Sequence, residues 1–272
     1  MITKLVNENV SVRASAIAFN FFLALVPAFI SLFTLIPYIP VENLSQEVTA
    51  MLRELMPTNT FKTIETTVKE ILETRRGGLM SISFLFSIHF ATNGISSLID
   101  SFNRDETRPF WLLWVTSFGL MVVLISLLVV GIVTFIGGEF LLNNLFDTQL
   151  FEDNVNKLIL KLFQIVIILL IIFMGVSLLY FFGSNKKSRL SLFSYGAYLA
   201  TLLILISSYG FAFYVENFSQ FNKIYGSLGT LIVLNIWLYI TATVLIIGYE
   251  LNKSIIMAKK EKKEELPTDP DQ

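Results

Sequence analysis

Six long stretches of this sequence contain no Asp, Glu, Lys or Arg. They run between Arg13 and Glu42, Arg76 and Asp100, Arg108 and Glu139, Lys161 and Lys186, Arg189 and Glu216, and Lys223 and Glu250. Each is longer than the roughly 20 residues with which an α-helix crosses the hydrocarbon of a bilayer, whereas buried strands are much shorter. The sequence therefore predicts an all-α integral membrane protein, a bundle of six transmembrane helices. The predicted spans are 14–38, 79–101, 110–137, 160–183, 190–215 and 225–250.

The overall composition excludes several kinds of chemistry. Only 15% of the residues are charged, where a soluble domain has about a quarter. The absence of Cys removes disulfides, thiolate metal sites and thiol nucleophiles. A net charge of -1 gives no general attraction to nucleic acid. The first apolar stretch is too long for a signal peptide and no small-residue cleavage site follows it, so we expect a retained anchor. We predict no cofactor and no metal.

The distribution of Lys and Arg predicts the orientation in the membrane. Basic residues collect before helix 1, between helices 2 and 3, between helices 4 and 5, and after helix 6. These segments share one side if the helices alternate, and the positive-inside rule makes it the cytoplasmic side. We therefore predict a bacterial plasma (inner) membrane protein with both termini in the cytoplasm. Five basic residues after helix 1 oppose this rule: Arg53, Lys62, Lys69, Arg75 and Arg76.

Two parts of the chain are predicted to lie outside the membrane. Residues 43–74 carry apolar side chains at helical spacing on both sides of a break at 56–59, which predicts an outer amphipathic helical hairpin between helices 1 and 2. This segment either covers the bundle or serves as a partner-binding or lipid-sensing arm. Residues 1–257 then form the transmembrane domain. The charged tail, 258–272, is predicted to extend helix 6 briefly and then become disordered in the cytoplasm.

Polar side chains within the spans predict a common interior. In helix 2 they recur at steps of three and four, and helices 1, 5 and 6 also carry polar faces, while helices 3 and 4 are apolar on all sides. Because polar groups in lipid are expensive, we expect these faces to meet in a cavity between helices 1, 2, 5 and 6. The candidate cavity-lining residues are Asn20, Pro27, Ser31, His89, Asn93, Ser96, Tyr198, Asn235 and Tyr239. The alternative is that these groups only hydrogen-bond one helix to another.

Charged residues and glycines near the span ends have structural interpretations. Asp100 and Arg104 have the i, i+4 spacing of a helical ion pair, and Glu250 is expected to pair with Arg104 or Arg13. The stretch NKIYGSLGTL at 222–231 contains Gly226 and Gly229. It lacks the preceding strand and the full pattern of a nucleotide loop. We predict that these glycines let helix 6 begin close to a neighbour, with anion binding at its N-terminus as the alternative.

Three stretches carry a resemblance that spans nearly the whole chain: RASAIAFNFFLALVP, NGISSLIDSFNRDETRPFW and FNKIYGSLGTLIVLNIWLYITATVLIIGYELN. Together they resemble the YihY/BrkB family of multi-pass bacterial inner-membrane proteins. The chain departs from the family pattern at Tyr249, where a small residue is usual, and at Phe102, where leucine is usual. The resemblance implies no agreed activity. Family members have carried the label ribonuclease BN, which conflicts with a single His and few clustered carboxylates, because metal-dependent hydrolysis needs a cluster of such ligands.

These observations predict a transporter or flippase-like protein that moves a small or lipid-linked solute through the polar cavity. The alternative is a non-transporting membrane scaffold or envelope-integrity factor, and a ribonuclease is the remote alternative. We predict no enzymatic activity and no nucleic-acid partner. The expected partner is the lipid bilayer, with anionic headgroups at the cytoplasmic face as a further candidate.

Overall fold

Six α-helices make up the part of the chain that the structure describes. In the computed structural model these residues are 10–39, 76–103, 108–136, 153–184, 190–217 and 227–265, with isolated positions between 46 and 72, and they contain no strand. The helices are α1 (Val10–Leu35, followed by a 3₁₀ turn at Ile36–Tyr38), α2 (Gly77–Phe102), α3 (Phe110–Ile136), α4 (Asp153–Gly183), α5 (Tyr195–Asn217) and α6 (Ser227–Glu265). All six are long and apolar enough to span a membrane, which confirms the predicted fold class.

Several helix ends differ from the predicted spans, and α4, for example, begins at Asp153 rather than at 160. α5 begins at Tyr195 rather than at 190, because the Gly196 N–H donates to the side chain of Asn252 on α6 and thereby fixes the first turn. α6 continues to Glu265, so the first eight residues of the predicted tail (258–265) are helical, in keeping with their Lys and Glu content. Residues 266–272 lie outside the described part. α1 runs without interruption through Pro27.

The predicted hairpin over residues 43–74 lies largely outside the described residues. The few described positions within it are helical. Among them, Arg53 Nη2 donates to Glu65 Oε1 at 3.3 Å, and Leu72 is buried. One ion pair therefore links a position before the predicted break to a position after it.

The six helices form a ring in chain order. Each helix packs against the next, with the most extensive contact between α1 and α2, and α6 returns to contact α1. Contacts across the ring are fewer and join α2 to α4 and α2 to α6. Neighbouring helices are antiparallel, as shown by Arg13 and Asn20 of α1, which bond Ser101 and Ser97 of α2. The starts of α1, α3 and α5 therefore lie at the same end as the last turns of α2 and α4.

The hydrophobic core lies at that end, which we call the packed end; the opposite end is the open end. Residues 18 apart lie on one face of a helix, about 27 Å apart, because 18 residues make five turns. Four such pairs begin in the core and end outside it: Ala14 and Leu32, Phe102 and Phe84, Tyr180 and Leu162, Tyr249 and Leu231. The first member of each pair is 0% to 3% exposed and the second is 42% to 59% exposed. The same faces that are sealed at the packed end are thus open at the other.

Neighbouring helices nevertheless remain in contact toward the open end. Gly131 of α3 is buried against the side chain of Ile171 on α4. Thr34 of α1 and Ser83 of α2 are buried as well. The open end thus keeps some contacts between neighbouring helices, while the faces that continue from the core are exposed there.

Candidate functional site

Three aromatic rings close the packed end of the ring. Phe102 of α2 stacks on Tyr249 of α6 with ring centroids 4.1 Å apart. Tyr180 of α4 meets both rings edge-on, at 5.5 and 5.8 Å. Its hydroxyl donates to the Leu245 carbonyl oxygen at 2.8 Å, which satisfies a fully buried polar group. The two positions at which the sequence departs from the YihY/BrkB pattern, Phe102 and Tyr249, are therefore packed against each other.

A close crossing of α5 and α6 completes this closure, and it was missed from the sequence. A Cβ on Gly196 would overlap the Gly248 carbonyl oxygen, so the two backbones touch. Asn252 accepts from the Gly196 N–H at 2.7 Å and donates to Ser194 Oγ at 2.9 Å. The sequence does contain the two glycines of this crossing. In antiparallel helices, a glycine at the start of α5 can lie level with one in the last apolar turns of α6.

Charged side chains tie the packed end together at its rim. Arg13 Nη1 donates to the Ser101 carbonyl at 2.6 Å and lies 3.6 Å from Glu250 Oε1. Of the two predicted partners of Glu250, the structure thus pairs it with Arg13. Arg108 donates to the carbonyls of Gly183 and Ser184, so it satisfies the open C-terminus of α4. Arg104 lies outside the described residues, and its pairing with Asp100 stays a prediction.

The structure does not bring the predicted cavity-lining residues together around one cavity. Instead they form separate local contacts. Asn20 donates to Ser97 at 2.9 Å between α1 and α2, and Tyr239 donates to Ser11 at 3.0 Å between α6 and α1. Asn93 bonds His89 within α2 at 3.1 Å. The Ser31 carbonyl accepts from Thr34 within α1. These are the helix-to-helix and intrahelical bonds of the alternative interpretation.

The polar stripe of α2 faces away from the ring. This helix turns Ile95, Ile99 and Phe102 inward, where they join the core. His89, Asn93, Ser96 and Asp100 lie on the opposite face, and both His89 and Asp100 are exposed. His89 lines a cleft of about 430 Å³ together with Ile82, Leu85 and Phe86, all on α2. The reason is geometric: α2 sits between α1 and α3, and its apolar face takes the inward position.

The remaining candidates are divided between inside and outside. Tyr198 is exposed, with its ring 4.8 Å from that of Phe173 on α4. Asn235 is also exposed, but it lies seven residues before the buried Ala242, on a face that points into the ring. Gly229 is buried at the start of α6, Gly226 lies outside the described residues, and a packing role for the two glycines stays a prediction. Pro27 is half-buried.

The faces that continue from the core toward the open end are apolar for the most part. Their exposed side chains include Leu32, Leu35, Phe84, Leu162 and Leu231, and among the residues described there Asn235 adds a polar group. Such a surface offers little to an ion. Within the described residues, no three His, Asp or Glu side chains are grouped closely enough to hold a metal ion.

A ring of six membrane-length helices, sealed at one end, defines a multi-pass helical membrane protein. The whole chain, residues 1–272, matches the family described as virulence factor BrkB, and the chain belongs to that family. This confirms the resemblance found in the sequence and indicates a bacterial membrane location.

Relatives of similar length carry two kinds of name. A ribonuclease-like protein, YfkH, from Bacillus subtilis is 29% identical over 91% of this chain and 90% of its own. A UPF0761 membrane protein from Vibrio campbellii is 26% identical over 94% of this chain and 80% of its own. Another from Coxiella burnetii is 28% identical over 94% and 91%. No solved structure matches the chain.

Proposed function

We propose that this BrkB-family protein moves a small or lipid-linked solute across the bacterial plasma membrane by opening the two ends of its helix ring in turn. The observation that carries the proposal is the contrast between the ends. Inward faces that are sealed around Tyr180 continue to exposed side chains such as Leu162. In this proposal the exposed inward faces enclose a chamber, and a chamber that opens on one side only is one of the two states that alternating access requires.

The orientation of the proposal follows from the charges. Lys and Arg are concentrated in the segments at the packed end, and the positive-inside rule assigns that end to the cytoplasm. Both chain termini then lie in the cytoplasm and the chamber opens outward. Passage of a solute requires the contacts among Phe102, Tyr180 and Tyr249 to separate while the opposite end closes. Interfaces of this kind switch between two packings rather than stretch continuously.

The absence of Cys permits a test that needs no knowledge of the solute. Single substitutions Leu231→Cys and Ala197→Cys place a thiol in the chamber and in the packed end, where Ala197 is fully buried. In proteoliposomes we expect a membrane-impermeant maleimide to label Leu231→Cys readily. Ala197→Cys should react slowly, yet faster than the protein unfolds, because a minor state opens the packed end. Labelling of Ala197→Cys only at the unfolding rate would contradict transport.

A disulfide provides the matched control for that test. At the packed end Asn252 Nδ2 lies 2.9 Å from Ser194 Oγ. A disulfide between Ser194→Cys and Asn252→Cys therefore joins α5 to α6 there. In protein that also carries Ala197→Cys, oxidation of this pair should suppress the slow labelling of Ala197→Cys. The labelled fraction is quantified before and after oxidation. A disulfide between Asn20→Cys and Ser97→Cys joins α1 to α2, which already share the most extensive contact. This disulfide should leave the slow labelling of Ala197→Cys unchanged.

One specific observation favours the second candidate, a membrane scaffold. The exposed face of α2 repeats in steps of four and three through Ile82, Phe86, His89, Asn93, Ser96 and Asp100, which is the spacing of a left-handed helix–helix seam. Polar groups on such a face favour association with another helix in the bilayer. Ser96→Cys should then form disulfide dimers in membranes, and Val129→Cys on the exposed surface of α3 should not.

The proposal assigns no enzymatic activity to the chain. The ribonuclease-like name belongs to the Bacillus relative. Hydrolysis of RNA by a metal-dependent route needs clustered ligands. Cleavage of RNA by protein purified to homogeneity would overturn this assignment, provided that a Gly196→Leu variant, which cannot close its helix crossing, loses the activity in parallel.

A further inference from the structure

We propose that three buried hydroxyl groups weaken the sealed packed end and so set how often it opens. They are Ser177 Oγ on α4, Thr201 Oγ1 on α5 and Thr241 Oγ1 on α6. Each is covered by protein, and none has a hydrogen-bond partner among the residues that the structure describes. The inference rests on the proposed function, because it concerns the same opening, and it names residues that control the equilibrium.

Two of these hydroxyls lie beside the crossing of α5 and α6. Ser177 is just under one turn before Tyr180, whose hydroxyl touches the position of a Cβ on Gly248. Thr201 follows Ala200, whose Cβ lies 2.9 Å from the same position. Ser177 and Thr201 are only 1% and 7% exposed, so both belong to the tight junction of α4, α5 and α6.

Thr241 lies on the face of α6 that is held against α5. Seven residues make two turns, so Thr241 and Gly248 share one face about 10 Å apart, and Asn252 continues that face. Gly248 touches the α5 backbone and Asn252 accepts a hydrogen bond from it. On α5, Thr201 lies one turn from Ala197. Water that reaches Ala197 in the open state therefore reaches these faces as well.

Other buried hydroxyls of the helices show the usual arrangement. Ser117 Oγ of α3 donates to the Leu113 carbonyl at 2.8 Å, and Thr34 Oγ1 of α1 donates to the Ile30 carbonyl at 2.8 Å. A bond of this kind to the preceding turn is open to a helical Ser or Thr, and most buried polar groups find a partner. Within the described residues, the three hydroxyls that lack one occur on the successive helices α4, α5 and α6.

The cost of these hydroxyls falls on the sealed state. A buried hydroxyl that makes no hydrogen bond keeps the penalty for leaving water. When the packed end opens, water bonds the same groups and the penalty is removed. Each hydroxyl therefore shifts the equilibrium toward the open state, against the ring stacking and the helix crossing that favour the sealed one. A role in holding helices together would instead require a partner across the interface.

Thiol labelling measures the effect on opening. Ser177→Ala with Thr241→Val, made in protein that carries Ala197→Cys, removes two of the hydroxyls and keeps similar side-chain volumes. We expect the slow labelling of Ala197→Cys to become at least about tenfold slower, because the sealed state loses two desolvation penalties. Thr201 is kept in this experiment, since a thiol at position 197 lies one turn away and offers its hydroxyl a partner. Labelling at an unchanged or higher rate overturns the inference.

The matched control removes hydroxyls that are already paired. Ser117→Ala with Thr243→Val makes the same two exchanges where Ser117 bonds Leu113 and Thr243 donates to the Tyr239 carbonyl at 2.8 Å. In Ala197→Cys protein this variant should leave the slow labelling rate unchanged. An equal slowing in both variants would trace the effect to helix propensity or packing, and it would overturn the inference.

Thermal unfolding of the Cys-free chain in detergent measures all three positions together. Ser177→Ala with Thr201→Val and Thr241→Val should raise the midpoint by about 5 °C, since the unfolded chain hydrates hydroxyls that the sealed state leaves unpaired. The control with paired hydroxyls, extended by Thr34→Val, should not raise it. A lower midpoint for the first variant would show that its hydroxyls have stabilising partners in the sealed state, which overturns the inference.

The inference and the proposed function fail in different ways. If Ala197→Cys itself labels only at the unfolding rate, the packed end does not open and both are rejected. If Ala197→Cys labels slowly and removal of the hydroxyls leaves that rate unchanged, the proposed opening stands and this inference alone is rejected.

Discussion

The two ends of the helix ring are built from the same helices but differ in how they are held. At the packed end, backbone contact between Gly196 and Gly248, buried hydrogen bonds and stacked rings fix neighbouring helices together. At the open end the inward faces carry large apolar side chains that contact little. The difference teaches that apolar surface alone does not close a bundle in a membrane, because lipid is as apolar as leucine. Close approach and internal hydrogen bonds close it.

The largest effect should come from adding one methyl group at the crossing of α5 and α6. In Gly196→Ala the new Cβ meets the Gly248 carbonyl and lies 2.6 Å from Asn252 Nδ2. Since neither backbone can move without breaking other contacts, we expect destabilisation of about 3 kcal/mol. Thermal unfolding in detergent measures it. The matched control is Gly210→Ala near the open end of the same helix, where a Cβ meets nothing within 4 Å; it should be neutral or stabilising by up to about 1 kcal/mol. Equal effects would remove the contrast between the ends.

A smaller effect is expected from two asparagines on α6. Asn252→Ala removes two buried hydrogen bonds and leaves the Gly196 N–H without its acceptor, so it should destabilise by about 2 kcal/mol. Asn235→Ala, on the same helix toward the open end, removes an exposed amide and should change stability by less than about 0.5 kcal/mol. Unfolding free energies in mixed micelles compare them. A large effect of Asn235→Ala would mean that polar contacts hold the open end together as well.

Stacked rings provide the third comparison. A double-mutant cycle with Phe102→Leu and Tyr249→Leu should give a coupling energy of about 1 kcal/mol, because these rings are in face-to-face contact across two helices. The pair Phe29 and Phe33 has ring centroids 6.4 Å apart within α1. Its cycle, measured in the same unfolding assay, should give about 0.3 kcal/mol. Similar coupling in the two cycles would show that the packed end owes nothing to its aromatic contacts.

The sequence predicted the number and class of the helices because charge-free length is a property of the chain itself. It also predicted which residues share a face, since the period of 3.6 residues fixes that, and the polar stripe through His89 and Asn93 is continuous as expected. The helical period does not determine which neighbour that face of α2 contacts. The stripe was assigned to the interior because polar groups avoid lipid, but the inward position of α2 is taken by Ile95, Ile99 and Phe102.

The packed end could be predicted only in part for a related reason. From their common side of the membrane, Arg104 and Arg13 were both candidate partners of Glu250, and the structure places Arg13 Nη1 3.6 Å from Glu250 Oε1. The crossing of Gly196 and Gly248 depends on the relative depth of two helices. A shift of the α5 start from 190 to Tyr195 moves every residue of that helix by more than one turn relative to its neighbour. Both glycines are visible in the sequence, but with uncertain helix ends their relative depth, and hence their contact, could not be predicted from it.

The smallest effect should come from the ion pair between Arg53 and Glu65 beyond the open end. Arg53 is 66% exposed and Glu65 is 27% exposed in their side chains, so water and salt screen the pair. Arg53→Gln should therefore change the unfolding free energy by less than about 0.5 kcal/mol. Any effect should shrink further in high salt, because exposed pairs are screened within a few ångströms there.

Glu250→Gln supplies the counterpart of that measurement at the packed end. Arg13 and Glu250 are only 14% and 17% exposed in their side chains, so loss of the carboxylate leaves a largely buried guanidinium with less compensation. The destabilisation should exceed that of Arg53→Gln by at least about 1 kcal/mol, and it should persist at high salt, since buried pairs are screened weakly. If Arg53→Gln were the more damaging of the two, the 43–74 segment would be a principal support of the bundle. The open end would then be held by polar contacts from outside the ring.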